Sequence, residues 1–565
     1  MSFKNYFLSI ALFLISFSIF SQTYEWGGGF GGVGETVVRK MHVDNDGNSY
    51  TTGYFTDTSD FDISPNENIL TSNGFFDVFV QKTNSEGILL WAVGFGSEFF
   101  DYGTAITTDS DGNVYVSGYF EEATDFDPGP DEFIIQPQGG GDVFIVKLDS
   151  FGGFVWAKSV GGTDYEEPTS IGVDELGNVY ILGYLYGTID FDPSPNEFFR
   201  SSQGAADVFL LKLNNLGNFV DVFTYGGTDQ DLALEMQIKS STEIFLSGYF
   251  NGTADLDPRN FNDYFVTAAD DTIGYTMQVD ETGAIVNIAN TESGNVNVYS
   301  VEADAQNNMY IAGVFDGEVN FDPQSGNSNN TLTSTLDFNS FVLKISSTGS
   351  VLWVRQLASD SANRIFDIAI GNDGSVNATG FFEGTIDLNP STTEDFMLTK
   401  ASANASDAFL LVLDSDGLFE RAEQFGGVDF IDTHQIGMDS DDNIYISGQF
   451  QLTVDINPSE SVVNNITAVD FRDSYLFKIS NDLLSDDEFI TTSFKLFPNP
   501  ANNFMHIDSS DYNLIGTTYK LYNALGQQVE KGELSHNKRV DVEFLNSGIY
   551  TIRLSNNVNI KFVKS

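Results

Sequence analysis

The sequence predicts an all-β protein: a seven-bladed β-propeller followed by a small C-terminal β-sandwich. Three observations favour this architecture. Short β-rich runs are separated by clusters of Asp, Gly, Asn and Pro, one unit recurs along most of the chain, and the C-terminal segment differs in charge from the rest. The composition agrees, because aromatic residues make up 14% of the chain and 53 glycines can supply turns.

The first 21 residues have the pattern of an export signal rather than of a folded element. Lys4 supplies a positive charge, Tyr6 to Phe20 form a mostly apolar run, and Ser21–Gln22 is a plausible cleavage point. The apolar run is short for a membrane span. We therefore expect residues 1–21 to be a signal peptide, and the mature chain to be exported without a transmembrane segment.

A glycine in the second strand of each unit sets the register of the repeat. It recurs at intervals of 65, 65, 65, 65, 67 and 68 residues, at Gly53, Gly118, Gly183, Gly248, Gly313, Gly380 and Gly448. The third strand carries an aromatic residue in every unit, at Phe79, Phe144, Phe209, Tyr275, Phe341, Phe409 and Tyr475. Burying each ring contributes roughly 1.5–3 kcal/mol, so these positions are the expected core. The seven units predict seven blades between residues 22 and 481.

The position of Trp26 predicts that the N-terminal strand closes the propeller. The four tryptophans, Trp26, Trp91, Trp156 and Trp353, share one place in the fourth strand of the unit. Nothing upstream of Trp26 can complete a unit, whereas the seventh unit ends after its third strand at residues 474–480. We therefore expect Tyr24 to Gly31 to form the outer strand of the last blade, which would pair sheet edges that are otherwise open.

The repeat unit also resembles a known family. The pattern D-x-D-G-N-x-Y-x-x-G-Y, followed by D-V-F-x-x-K-L-D-x-x-G-x-x-x-W, is similar to the repeat of bacterial SBBP-type β-propeller proteins. The resemblance covers residues 23–481. The fourth unit departs from it at Ile273, Gln278 and Asn287. The resemblance implies a propeller fold and no particular reaction.

A change of charge marks a second domain. Residues 482–488 form an acidic linker candidate, and residues 489–565 contain eight Lys or Arg against six Asp or Glu. Short β-rich runs between turn signals predict a small Ig-like β-sandwich in this segment.

Motifs in residues 489–565 resemble the type A C-terminal sorting domain of the type IX secretion system of Bacteroidota. The motif residues are Pro498, Asn499, Pro500, Gly526, Gly548, Tyr550, Lys561 and Lys564. The resemblance implies that the type IX machinery is a partner, reached by Sec export to the periplasm. It also implies removal of this domain, with the product either anchored on the cell surface or released. The alternative is an ordinary Ig-like accessory domain.

Charge and motifs exclude several functions. A formal net charge of −56 disfavours nucleic acid and anionic membranes as partners, and the absence of cysteine rules out disulfides and thiol chemistry. Two of the four histidines, His506 and His536, fall in the C-terminal segment, and His42 and His434 occupy different places in the repeat. No catalytic motif is present, so we expect a protein that is not an enzyme.

Two repeated acidic motifs were considered as calcium sites. D-x-D-G-N between the first and second strands suits a tight turn better than a calcium loop. In D-F-D-P, alternation places both carboxylates on one side of the strand and the aromatic residue on the other. Two functions fit the motif: calcium would use these hard oxygen ligands, or the motifs would form a ligand-binding rim on the face that the second-to-third and fourth-to-first loops share. The alternative is that each Asp caps backbone N–H groups. The candidate calcium ligands are Asp125, Asp127, Asp190, Asp192, Asp255 and Asp257.

The expected function is that of a secreted or surface-displayed propeller for binding, adhesion or scaffolding, whose ligand is an extracellular protein or glycan. The alternative is a polysaccharide-acting enzyme or a lectin-like carbohydrate-binding propeller. A central pocket with aromatic and acidic side chains would favour the alternative. A channel closed by small residues such as Ala105, Thr107, Ser170 and Gly172 would favour a scaffold.

Overall fold

The computed structural model describes two parts of the chain. Residues 23–480 are described apart from 258–263, 269–271, 325–329, 335–337, 392, 403–405 and 459–462, and residues 494–564 apart from 510–513, 515–516, 524–527, 536–537 and 555–558. Thr23–Ser480 forms one compact unit, and residues 481–565 belong to another. Residues 1–21 and the linker 482–488 lie outside the described residues. In the described part of the chain, no helix is long and apolar enough to cross a membrane.

The larger unit is a succession of four-stranded antiparallel sheets, which we number 1 to 7. Within each sheet the strands follow one another as a meander. Sheet 1 comprises Thr36–Val43, Ser49–Phe55, Asp77–Thr83 and Leu89–Phe95. Sheet 2 comprises Tyr102–Thr108, Val114–Phe120, Asp142–Leu148 and Phe154–Gly162. Sheet 3 comprises Glu166–Val173, Val179–Leu185, Asp207–Leu213 and Phe219–Gly227. Sheet 4 comprises Asp231–Ser240, Glu243–Phe250, Ile273–Val279 and Ile285–Asn290. Sheet 5 comprises Asn295–Ala303, Met309–Asp316, Asn339–Ile345 and Val351–Ser359. Sheet 6 comprises Asn363–Ile370, Val376–Phe382, Asp407–Leu413 and Phe419–Gly427.

Sheet 7 joins the two ends of this unit. Its first three strands are Ile431–Met438, Ile444–Phe450 and Asp473–Ser480, and its fourth strand is the N-terminal strand Thr23–Val33. The antiparallel register runs from Thr23 opposite Ser480 to Phe30 opposite Ser474. The pairing predicted from the offset of Trp26 is therefore present.

A short hairpin, which we call the side hairpin, separates the second and third strands of every sheet. The side hairpins are Thr58–Asp60 with Ile69–Thr71, Thr124–Asp125 with Ile134–Ile135, Thr188–Asp190 with Phe199–Ser201, Thr253–Asp255 with Phe265–Thr267, Glu318–Asn320 with Thr331–Thr333, Thr385–Asp387 with Met397–Thr399, and Thr453–Asp455 with Asn465–Thr467. Those of sheets 1, 3, 4, 6 and 7 pair with the fourth strand of the preceding sheet, and for sheet 1 that strand is Thr23–Val33. The side hairpins thus fasten neighbouring sheets together by backbone hydrogen bonds.

The aromatic residues of the repeat form the core between sheets. All seven third-strand aromatic residues are buried, as expected, and so is the residue two places after each register glycine. The fourth-strand tryptophans lie between sheets: the indole Nε1 of Trp26, Trp91, Trp156 and Trp353 donates to the carbonyl of Ser85, Ser150, Asn215 and Ser415, respectively. Each carbonyl belongs to the last turn of the next sheet. Asn287, which replaces Trp in sheet 4, donates from Nδ2 to the equivalent carbonyl of Ser347 at 3.3 Å.

A Gly-Gly pair ends the fourth strand where two sheets meet, and each glycine leaves room for a different group. A Cβ on Gly161 would collide with the carboxylate of Asp142, and one on Gly162 would collide with the carbonyl of Thr188 in the side hairpin. The next sheet repeats this arrangement: a Cβ on Gly226 would collide with the carboxylate of Asp207, and one on Gly227 would collide with the carbonyl of Thr253. The pair therefore allows both a buried carboxylate and a docked hairpin.

The buried carboxylates meet in pairs at three junctions. The first residue of the third strand in one sheet faces a residue at the start of the first strand in the next: Asp77 faces Asp101, Asp142 faces Glu166, and Asp207 faces Asp231. A backbone bond ties the two strands, for example from Asp231 N to Ala206 O at 2.8 Å. At the other junctions the equivalent pairs are Asn339 with Asn363, Ile273 with Val296, Asp407 with Ile431, and Asp473 with Thr36, so a buried Asp also occurs without an acidic partner.

The smaller unit contains two antiparallel sheets around one core. One sheet comprises Phe494–Phe497, Phe504–Ser509 and Arg539–Asp541, and the other Gln528–Glu533, Thr518–Asn523, Gly548–Leu554 and Asn559–Lys564. Met505 and Ile507 from the first sheet share a buried cluster with Leu521, Ile552 and Phe562 from the second.

Candidate functional site

A β-bulge in the first strand of every sheet sets the geometry of the site. The register shifts by one residue at the same place in all seven first strands. A bulge leaves one residue unpaired and re-aims its neighbours. The unpaired residues are Arg39, Thr104, Thr169, Leu234, Tyr299, Phe366 and His434, and the residues after them are Lys40, Ala105, Ser170, Glu235, Ser300, Asp367 and Gln435.

A cavity of about 360 Å³ lies among the seven first strands and is lined by residues from each of them. Small residues predicted to allow close approach, Ala105, Thr107, Ser170 and Gly172, are in its wall. Lys40, His42, Glu235, Glu302 and Asp367 also line it, but no Phe, Tyr or Trp of the described residues does. The cavity is therefore polar and charged, which differs from both a small-residue channel and an aromatic pocket.

Lys40 is the centre of the charged network in this cavity. Its Nζ contacts a carboxylate oxygen of Glu235, and the other oxygen accepts a hydrogen bond from Ser170 Oγ at 2.8 Å. Burial alone would lower the pKa of Lys40, but Glu235, Asp367 and Glu302 outweigh it and raise that pKa. Lys40 therefore stays protonated and partly neutralises the surrounding carboxylates.

The other two carboxylates of the cavity differ in proton affinity. Asp367 accepts hydrogen bonds from Ser300 Oγ at 2.8 Å and Ile436 N at 3.1 Å. Burial raises its pKa to about 6, against the opposing charge of Lys40. Burial, with the nearby charges of Asp367 and Glu235, raises the pKa of Glu302 to about 8. Glu302 therefore keeps its proton at neutral pH, when Asp367 is mostly ionised.

His42 carries no charge at neutral pH. Its Nε2 lies 3.1 Å from Thr108 Oγ1, and burial lowers its pKa to about 4 despite the nearby carboxylate of Asp44. We therefore assign His42 a packing role in the cavity wall.

The face of the larger unit where first strands begin carries the aromatic residues that the cavity lacks; we call it the axial face. Tyr102 stacks on Tyr119 at 5.2 Å between ring centroids, and Tyr119 lies 5.5 Å from Tyr165. The Arg39 guanidinium lies over Tyr102 at 4.3 Å. Glu167 binds this group together, since it accepts hydrogen bonds from Tyr165 at 2.6 Å and Tyr184 at 2.5 Å.

A second aromatic group on the axial face surrounds Arg364. Its guanidinium carbon lies 5.3 Å from the ring centroid of Tyr299, 5.4 Å from Phe366 and 6.0 Å from Phe381. Phe366 also packs against His434 at 4.5 Å, and the His434 Nε2 lies 2.7 Å from Asp432 Oδ2. Among the described residues, the Arg364 guanidinium has neither a hydrogen bond nor an ion pair, so its N–H groups are available.

Phenylalanines on two loops extend the aromatic surface into solvent. Phe75 is 61% exposed and stacks on Phe100 at 5.4 Å, with Phe99 next to it in the chain and also exposed. Monomeric proteins rarely expose such clusters without an interaction partner. Sequence analysis predicted that the loops of this face lie together but missed its aromatic residues, although an aromatic residue follows the register glycine in five of the seven units, as in Tyr119 and Tyr184.

The D-F-D-P motifs lie in the side hairpins rather than at the end of the second strand. The middle residue is buried, as in Phe126 and Phe191. Asp190 Oδ1 accepts the backbone N–H groups of Asp192 at 3.1 Å and Phe198 at 2.7 Å. Asp125 and Asp255 make the same pair of bonds to their own hairpins.

The second Asp of the motif accepts a hydrogen bond from a backbone N–H of the turn that follows it. Asp127 Oδ1 accepts from Gly129 N at 2.7 Å, and Asp192 Oδ1 from Ser194 N at 2.9 Å; Asp257 is buried. Among the residues that the structure describes, no group of three or more Asp, Glu or His side chains is arranged to share a metal ion. The capping interpretation accounts for the observed hydrogen bonds, and calcium binding stays a prediction.

Two substitutions of Asp190 separate capping from calcium binding. Asp190→Ala should lower the free energy of unfolding by roughly 2 kcal/mol, because two backbone N–H groups lose their acceptor. Asp190→Asn should change it little, because an amide Oδ1 can accept the same bonds, as Asn320 does from Asp322 N. Urea unfolding of both variants measures the difference. A calcium-specific stabilisation absent with sodium or magnesium, and lost in Asp190→Asn with Asp192→Asn, would instead establish a metal role.

In the smaller unit, two of the sorting motifs come together. Asn499 Oδ1 accepts the N–H of Val563 at 2.8 Å, and Ala501 N donates to Val563 O at 2.7 Å, which ties the segment of Pro498 and Pro500 to the last strand. Gly548 pairs with Lys564, and the Tyr550 ring stacks on Phe562 at 5.7 Å. Lys561 lies in the same last strand, while Gly526 lies outside the described residues.

This part of the chain has a family match. Residues 495–565 match the family described as "Secretion system C-terminal sorting domain". They are a type IX secretion sorting domain. The sorting domain indicates that the protein is secreted to the cell surface or the extracellular space.

The chain is similar to two curated proteins. An uncharacterized WD repeat-containing protein of Acanthamoeba polyphaga mimivirus is 21% identical in an alignment of 477 positions that covers 71% of this chain and 34% of the viral protein. Regulatory protein FlaEY of Caulobacter vibrioides is 25% identical over 166 residues, 28% of this chain and 17% of FlaEY. The chain spans at most about a third of the length of these relatives.

Solved structures similar to this chain include β-propellers. The WD40 β-propeller domain of Doa1 has a TM-score of 0.29 and 9% identity, covering 63% of this chain and 93% of that domain. PorZ of Porphyromonas gingivalis, a surface component of the type IX secretion system, has a TM-score of 0.20 and 10% identity, covering 95% of this chain and all of PorZ. The meander order of the sheets and the cavity among their first strands are themselves typical of a β-propeller.

Proposed function

We propose that this protein is a secreted, non-enzymatic binding module whose ligand occupies the axial face. The exposed aromatic surface around Phe75, Phe99 and Phe100 is the observation that carries the proposal. Aromatic and arginine side chains dominate the binding energy of protein surfaces. The ligand would be an extracellular protein or glycan, presented to the module at the cell surface or after release.

The proposed architecture is a seven-bladed propeller of SBBP type, closed by its N-terminal strand. Two features support closure. Thr23–Val33 pairs with Asp473–Ser480 on one edge and with the side hairpin of sheet 1 on the other, and all seven first strands line one cavity. In this proposal residues 1–21 are a signal peptide, 22–481 the propeller, 482–488 a linker, and 489–565 an Ig-like sorting domain that is removed after export.

A screen of glycans and proteins with three purified forms of the secreted protein tests the binding face. Changing Phe75, Phe99 and Phe100 together to Ser should weaken binding of any captured ligand at least tenfold. Phe151→Ser is the matched control, because Phe151 is 84% exposed but lies in a turn at the opposite face. Equal loss in both variants, or in neither, would contradict a binding site on the axial face.

A second candidate function is action on a polysaccharide, favoured by the two unlike carboxylates of the cavity. Glu302, protonated at neutral pH, could donate a proton while ionised Asp367 accepts one, as acid and base pairs do in glycoside hydrolysis. Release of new reducing ends from a polysaccharide, abolished by Glu302→Gln, would support this candidate.

A further inference from the structure

From the geometry around Arg364 we infer that the axial face binds a glycan that carries an isolated uronate, with the sugar carboxylate on Arg364. This inference rests on the proposed function and names the ligand class. Its site comprises Arg364 and the rings of Tyr299, Phe366 and Phe381.

The first step concerns the guanidinium. Arg364 is half-buried, and three rings hold its position. Arginine presents five N–H donors in a fixed fork that matches a carboxylate with two parallel hydrogen bonds. None of the described residues accepts a hydrogen bond from the Arg364 guanidinium, so its N–H groups can donate to a ligand carboxylate. His434, which packs against Phe366, does not compete with Arg364 for a ligand carboxylate, because its Nε2 is hydrogen-bonded to Asp432.

The second step concerns the rings. Tyr299, Phe366 and Phe381 are half-buried and lie within 6.0 Å of one another in succession. Such a group offers flat apolar surface beside a cation. A pyranose ring has an apolar C–H face and, in a uronate, a carboxylate at its edge. It can therefore cover the rings and reach Arg364 at the same time.

The chemistry of the rings favours a glycan over an acidic peptide. Stacking rings with neighbouring hydroxyl groups, including Tyr299, Tyr249 and Tyr186, suit a ligand that is apolar on one face and rich in hydroxyls at its rim.

Overall charge narrows the ligand further. The chain carries a net charge of −56, which repels densely charged polyanions at a distance. Screening limits this repulsion to about 8–10 Å in physiological salt, so a single carboxylate in contact with Arg364 can still be bound. A neutral sugar chain with occasional uronates fits both conditions.

The experiment compares two probes with the purified secreted protein in titration calorimetry. One is a xylo-oligosaccharide with a single glucuronate, and the other is the same xylo-oligosaccharide without it. The uronate probe should bind at least tenfold more tightly. Arg364→Gln should reduce its affinity roughly 10- to 100-fold, the equivalent of one charged hydrogen-bonded contact, and Arg364→Lys should restore only part of it.

Arg200→Gln is the matched control, because Arg200 also lies over an aromatic ring, that of Phe198, but in a side hairpin. It should bind like the parent, and melting temperatures should show that each variant is folded. Equal affinity for the two probes, or unchanged binding in Arg364→Gln, would overturn the inference. If an acidic peptide binds through Arg364 and the uronate probe does not, the ligand class is wrong. If the phenylalanine variants lose a ligand that Arg364→Gln retains, the binding face stands and only this inference fails.

Discussion

Deleting residues 22–33 should lower the melting temperature by about 10 °C or more, a large effect for a protein of this size. The deletion removes the fourth strand of sheet 7 and leaves Asp473–Ser480 as an open edge. It also takes away the partner of the Thr58–Asp60 hairpin and the Trp26 indole that donates to Ser85. Differential scanning calorimetry of the mature chain with and without the segment measures the loss.

Two further chains serve as controls for this deletion. Trp26→Phe removes the indole hydrogen bond but keeps the strand, so it should cost only a small part of the effect. A chain that ends at residue 488 should retain the transition of the larger unit, since Thr23–Ser480 is compact by itself. A deletion variant that melts with the parent would show that the N-terminal strand is dispensable and that the proposed closure is wrong.

Stability should fall as the pH rises from about 5 to 9, the second large effect expected. Burial raises the pKa of Asp77, Asp101, Asp142 and Asp207 to about 6, that of Asp231 to about 7, and that of Glu166 to about 9. An acid whose pKa is higher in the folded state stabilises that state below its unfolded pKa, and this contribution is lost as pH rises through the folded value. A carboxyl group whose pKa is about 4 in the unfolded chain and about 6 in the folded protein contributes roughly 2–3 kcal/mol in this way.

Asp142→Asn combined with Glu166→Gln should flatten this pH dependence and stabilise the protein at pH 8. The amide pair Asn339 and Asn363 already occupies the same places between sheets 5 and 6. Asp111→Asn with Glu132→Gln removes two exposed carboxylates and controls for the loss of net charge. Urea unfolding between pH 5 and 9 measures all three proteins. Stability that rises with pH in the parent, or an equal gain in the control, would contradict proton binding by the buried pairs.

The repeat made the larger part of the fold predictable. The register glycines and the third-strand aromatic residues recur at nearly constant spacing, so they show from the local sequence which strand positions are buried. This prediction needs no knowledge of contacts that are distant in the sequence. Trp26 also allowed one long-range strand pairing to be predicted, because three other tryptophans occupy the same place in the fourth strand of their units. The smaller unit was predictable for the same reason, through motifs that a sorting domain carries in order.

The side hairpins and the axial face were harder to predict. Strands of two or three residues, such as Thr188–Asp190, exist because the neighbouring sheet pairs with them, and a local pattern contains no sign of that partner. Alternation along one strand puts Arg364 and Phe366 on the same side, but Tyr299 belongs to the first strand of the neighbouring sheet, so a local pattern could not place its ring beside them. The paired carboxylates recur at one interval of 24 residues in three units, but Asp407 and Asp473 stand opposite Ile431 and Thr36, so an alignment of the units did not show that the two positions are in contact.

The exchange of a strand between the two ends of the larger unit has a consequence for the order of events in the cell. Sheet 7 needs Thr23–Val33 and Asp473–Ser480 at the same time, and contacts so distant in sequence form slowly because a long loop must close first. The unit therefore cannot be completed until the chain is available as far as residue 480, shortly before the sorting domain begins at residue 495.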